Sequence, residues 1–208
     1  MDIMRSMMSS LKYVLAVVFS AVIATSAYGA TFKGEFSISG PALEGQGLAV
    51  HALPQSGDLH FDLEVGEHVT FGLFDIWTNE RYVNKDDRYP QALDVAFNFV
   101  SPVTDGSVSG AVKGKSFFGI QWGKVTWDNP VIFTFGQTGK FALSLSNEVF
   151  NYGWFGLGEG YHRGATVHLT AKYLSPDVAP VPLPAAGLLL IGGLFGLGFV
   201  SRRRRVAA

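Results

Sequence analysis

The chain has 208 residues, 48% of them hydrophobic, a formal net charge of -1 and no cysteine. That length holds one domain with a real core, and the missing cysteine excludes a disulfide framework, thiol catalysis, a cysteine-ligated zinc and c-type haem attachment. The near-neutral total hides an uneven spread. Between residues 30 and 179 ten basic side chains stand against sixteen acidic ones, a net charge of -6, which argues against nucleic acid and against anionic polysaccharide held by charge alone.

The N-terminus predicts export. Arg5 and Lys12 give a basic start, Tyr13 to Ala27 is apolar, and Thr25-Ser26-Ala27 or Ala27-Tyr28-Gly29 offers small residues where a signal peptidase reads. Residues 1–29 are therefore expected to be a secretory signal peptide removed by signal peptidase, with an uncleaved anchor helix as the alternative.

From 30 to 174 the pattern is β throughout, with no sustained helical period. Phe32, Phe36 and Ile38 predict a first strand, ended by Gly40-Pro41. Leu59, Phe61, Leu63 and Val65 alternate with Asp58, His60, Asp62 and Glu64, and Gly66-Glu67 predicts a turn. Val69 to Trp77 carries apolar residues on both faces, as expected of a strand covered on both sides. Asn79 to Pro90 is charged and predicts an exposed loop. Val95, Phe97 and Phe99 alternate, Thr104-Asp105-Gly106-Ser107 predicts a hairpin turn, and Lys113-Gly114-Lys115 another turn. Separate strands are expected over 117–122 and 124–127, with a break near Gly123. Val131, Phe133 and Phe135 rise to a Gly136–Gly139 turn, and Phe141, Leu143 and Leu145 descend from it. Asn147 to Arg163 predicts a loop, and Val167, Leu169, Ala171 and Tyr173 a final strand. Short strands spaced by turns predict an all-β fold, a β-sandwich of jelly-roll-like kind. No fixed-period repeat is present, which excludes a solenoid.

Residues 175–180 are proline-bearing and predict a short linker. Then come Val181, Pro182, Leu183, Pro184 and Ala185, an apolar run to Val200, and Arg202, Arg203, Arg204 and Arg205. The uncharged run has about the length a bilayer core needs, roughly 20 residues. The arginines hold its C-terminal end on the cytoplasmic side. A single transmembrane helix is therefore expected within 181–205. This order of segments resembles the PEP-CTERM class of sorting signals, in its VPLPA-CTERM variant; the likeness covers only about the last 28 residues. The resemblance implies recognition by an exosortase, cleavage near the Pro-x-Pro motif, and transfer to the cell surface or extracellular matrix of a Gram-negative bacterium. It also implies an association with exopolysaccharide. A plain tail anchor is the alternative.

Within the β domain the chemistry-bearing residues are sparse. His60, Asp62 and Glu64 share one strand face but sit about 7 Å apart, too far to converge on one ion without a second strand. Asn84, Asp86 and Asp87 lack the spacing and glycine of an EF-hand loop. Glu159, His162 and Arg163 lie close in sequence without an evident partner. No Gly-x-Ser-x-Gly, His-Glu-x-x-His or phosphate-cradling loop is present. No metal or cofactor is expected, and the chain is not expected to be an enzyme. Trp77, Trp122, Trp127, Trp154, Tyr152, Phe155 and Tyr161 offer either core packing or flat platforms for sugar rings. Trp154 and Tyr161, in the glycine-rich stretch, are the candidate glycan-binding residues. The expectation is an exported, surface-sorted structural or interaction protein of the envelope or exopolysaccharide matrix. The alternatives are a carbohydrate-binding module for exopolysaccharide and a polysaccharide-modifying enzyme.

Overall fold

A computed structural model describes residues 29–128 and 130–177. The predicted transmembrane segment and sorting signal lie outside the described residues, as does the predicted signal peptide except Gly29. Among the described residues no helix is long and apolar enough to cross a membrane.

Among the described residues eleven strands form the domain. In chain order they are β1 (Gly29–Ser39), β2 (His51–Leu53), β3 (Ser56–Glu64), β4 (His68–Trp77), β5 (Gln91–Ser101), β6 (Val103–Phe117), β7 (Ile120–Trp127), β8 (Val131–Phe135), β9 (Gly139–Leu145), β10 (Glu148–Trp154) and β11 (Ala165–Ser175). They pair into two antiparallel sheets, ordered β10-β7-β6-β5-β1-β3 and β2-β4-β11-β9-β8. The result is an all-β, sandwich-like fold. Its winding departs from the jelly-roll expectation: β5, β6 and β7 run as a meander within one sheet, where a jelly roll interleaves Greek keys.

The core is aromatic because the inward positions of both sheets are. Phe32 on β1 is fully buried; its ring stacks on Phe61 at 5.2 Å and meets Phe141 at 4.9 Å and Tyr173 at 5.4 Å across the sandwich. Phe133 and Phe141, neighbours across the β8–β9 hairpin, stack at 5.1 Å. The strict alternation of β3, β8, β9 and β11 puts these side chains inward, as the sequence predicts.

Five strand-level expectations are corrected. On β4 the two apolar faces are one face interrupted by a bulge. Phe74 pairs with Val167 and Gly72 with His168, so Leu73 is the extra residue and the inward phase switches at Leu73-Phe74. Thr104–Ser107 and Lys113–Lys115 are not turns but lie inside the 15-residue β6. The real hairpin tip of β5–β6 is at Ser101-Pro102. Gly106, Gly110 and Gly114 line β6's inner face because neighbours press there: a Cβ would come within 2.7 Å of Phe133, 2.4 Å of Trp127 and 2.7 Å of Val83. Likewise Gly123 does not interrupt the chain between strands. It lies within β7, where the Phe150 ring fills its missing side chain. The first half of the 147–163 stretch is a strand, β10, bulged between Phe150 and Gly153.

The register also fixes the ends of the sandwich. Gly29 pairs with Glu64, Lys33 with Ser101, and Val100 with Val103, so these share one end. The β8–β9 turn shares it: Thr104 Oγ1 donates to the Thr134 carbonyl, and the Asp177 carboxylate accepts from the Gln137 N–H at 2.8 Å. Of the predicted linker, Ser175 thus closes β11 and Pro176-Asp177 is held against that turn. Both ends of the described region leave on this side. β6 runs from there to Phe117 at the opposite end, roughly 50 Å if fully extended.

Candidate functional site

The opposite end carries an aromatic face. On β7 the inward residues are Gly123, Val125 and Trp127, so Ile120, Trp122 and Lys124 point out. Their cross-strand partners are Phe117, Lys115 and Lys113 on β6, and Trp154 and Val149 on β10 for Ile120 and Lys124. Phe117, Ile120 and Trp154 therefore form one row across three strands. Trp122 is flanked in the next row by Lys115, and by Tyr152, which stacks on it at 6.3 Å and 29°. Lys113, Lys124 and Val149 make the third row. Trp154 is 67% exposed, an isolated cost for the largest apolar side chain unless something covers it.

Two further phenylalanines crown the face, and both are held in the left-handed backbone region. Phe118 has φ 45° with Gly119 at 83°, so the β6–β7 tip is a two-residue turn with positive φ at both positions. Such turns favour Asn-Gly or Asp-Gly; a phenylalanine there is strained. Phe118 is 87% exposed and meets Phe117 at 4.5 Å. Phe155, 81% exposed with φ 57°, donates its N–H to the Gly119 carbonyl at 2.6 Å and lies beside the same tip. Replacing Phe118 by Asn is expected to stabilise the fold by about 1 kcal/mol, since Asn tolerates positive φ. Urea unfolding checks this.

The face is braced from beneath. The 79–90 loop, expected to be exposed, instead tucks Val83 and Asp87 against the inner side of Gly114. The Val83 N–H donates to Gln121 Oε1 at 2.6 Å, and Asp87 accepts the Asn84 N–H within its own 3-10 turn region, Asp86–Arg88. Asp87 is thus a buried structural acceptor. Burial holds the neighbouring Glu80 carboxyl above its usual range, and Asp87 adds to that effect.

Asn151 locks the loop that follows β10. It is fully buried, in the β10 bulge, with φ 52°. Its Oδ1 accepts the Thr78 N–H at 2.8 Å; its Nδ2 donates to the Gly160 carbonyl at 3.0 Å and also to that of Gly158. Nothing in the sequence marks Asn151, because an Asn in a glycine-rich stretch looks like a loop residue.

The two predicted glycan-binding residues do not share a platform. Trp154 belongs to the face above. Tyr161 lies on the 3-10 turn Tyr161–Arg163, against the outer side of the other sheet. There it packs edge-on to Trp77 at 5.1 Å, and Trp77 stacks with His51 at 5.4 Å. Its hydroxyl donates to Asp75 at 2.5 Å, which raises the phenol above its usual value. Trp127 is core. Glu159 and His162 are exposed and share no hydrogen bond. His60, Asp62 and Glu64 face solvent on the edge strand β3. Among the described residues no group of three His, Asp or Glu is placed to hold a metal.

Compared with protein-family models, curated proteins and solved structures, the chain matches none.

Proposed function

We propose that this chain is an exported, surface-sorted interaction protein of the cell envelope or exopolysaccharide matrix, and that the β6–β7–β10 face is its polysaccharide-binding surface. The observation that carries the reading is the outward row Phe117–Ile120–Trp154, whose Phe117 and Trp154 are exposed, with Trp122 and Tyr152 stacked beside it. Flat rings accept the apolar faces of sugars, and polar neighbours take up the hydroxyls. Strain spent on exposing Phe118 and Phe155 supports an interaction role, because bulky residues at positive φ cluster at functional sites.

The polarity of the domain fits this. Both ends of the described region leave at one end of the sandwich and the aromatic tip stands at the other. A tail held in the membrane by 181–205 would aim the face outward. The resemblance to exosortase substrates supplies the sorting route, with signal peptidase acting first at the N-terminus.

Sorting is tested by the intact mass of the protein recovered from its host. A chain ending near Pro184, without Arg202–Arg205, is expected. A mature protein that keeps the four arginines would overturn transfer by an exosortase and leave a plain membrane anchor.

A further inference from the structure

We infer that the β6–β7–β10 face takes an acidic polysaccharide, one whose sugar rings carry carboxylates; this rests on the polysaccharide reading above. The first ground is an unneutralised pair. Lys113 and Lys124 are direct cross-strand partners, both pointing outward. Like charges placed opposite each other oppose sheet pairing. Among the described residues the side-chain ammonium of neither lysine, nor that of Lys115, has a hydrogen bond or ion pair.

The second ground is the surroundings. The domain is acidic overall, yet no Asp or Glu occurs from 106 to 127, which spans most of β6 and all of β7. Three of the domain's ten basic residues gather here. The third ground is adjacency. Lys115 is the cross-strand partner of Trp122, and the Lys113–Lys124 pair lies one row further, roughly 7 Å along the strands. A sugar resting on Trp122 places its carboxylate beside Lys115, and the next acidic group along the polymer reaches the lysine pair. The cations are lysines and not arginines, whose planar fork suits phosphate.

The test titrates the full-length protein, by tryptophan fluorescence, with polygalacturonate, fully methyl-esterified polygalacturonate and single-stranded poly(dT). Polygalacturonate is expected to bind at least about tenfold more tightly than its ester, and the preference should shrink as salt rises. Lys113→Gln/Lys115→Gln/Lys124→Gln should erase the preference while leaving ester binding in place. Lys124→Glu should cut polygalacturonate binding with a melting temperature equal to or above wild type, because it gives Lys113 a partner. Equal binding to both polymers overturns the acidic assignment and leaves the polysaccharide reading standing. Binding to neither polymer overturns both. Tighter binding to poly(dT) than to polygalacturonate makes the face a nucleic-acid surface and overturns both as well.

Discussion

Asn151→Ala is expected to cost about 3–5 kcal/mol of stability. The side chain makes bonds that no neighbour can replace. Removing it strands the buried Thr78 N–H and the carbonyls of Gly158 and Gly160. A stranded buried polar group costs about 1–3 kcal/mol. Alanine also sits poorly at φ 52°, a further cost of about 1–2 kcal/mol. Asn151→Gly removes the second contribution only, so it should be milder than Ala by about that amount. Asn151→Asp should be at least as damaging as Ala, because a carboxylate cannot donate to two carbonyls. Urea unfolding ranks the three. Limited trypsin digestion adds a local readout: cleavage after Arg163 should quicken in the Ala variant beyond what global unfolding accounts for. Equal cleavage rates after correction would show that Asn151 does not hold the 155–164 loop.

Phe32→Ala should be comparably severe. The ring is fully buried and is shared between the sheets, touching Phe61 and Phe99 on its own side and Phe135, Phe141 and Tyr173 on the other. Truncating a buried phenylalanine costs about 3–5 kcal/mol through lost transfer energy and the cavity left behind. That is a large share of the roughly 5–15 kcal/mol typical of a domain, and this chain has no disulfide to limit the damage. Phe32→Leu should cost far less, about 1–1.5 kcal/mol, since most of the volume survives. Thermal and urea unfolding give both values. A small loss for Phe32→Ala would mean that the sheets close over the gap and that the aromatic cluster is loosely packed.

The regions of the fold legible in the sequence are those with uninterrupted period two. Leu59–Leu63, Phe133–Phe135, Phe141–Leu145 and Val167–Tyr173 alternate, and all point inward. The misread regions share a cause: a residue chosen for contact resembles one chosen for chain reversal. Gly106, Gly114 and Gly123 look like turn signals, but Phe133, Val83 and Phe150 occupy the space a side chain would need. Conversely, the true β6–β7 turn is Phe118-Gly119, and phenylalanine is not a turn residue. The bulge on β4 reads as two covered faces because the extra residue, Leu73, shifts the inward phase by one position; Gly72, directly before it, is the mark of the bulge in the sequence.

The site is half legible for the same reason. Trp154 stands out because glycines surround it, and its exposure follows. Tyr161, chosen on the same ground, packs with Trp77 and Asp75 on the other sheet. Trp122, Tyr152, Phe117 and the three lysines cannot be joined from the sequence, since their adjacency depends on the β6–β7–β10 register.

The most direct test of the account is co-sedimentation of the full-length protein with extracellular polysaccharide purified from its own host, wild type against Trp154→Ala. The wild type should sediment with the polymer, and the variant, folded by circular dichroism, should remain mostly in solution. Equal sedimentation of the two, or none for the wild type, would contradict the claim that this aromatic face holds the protein to the matrix.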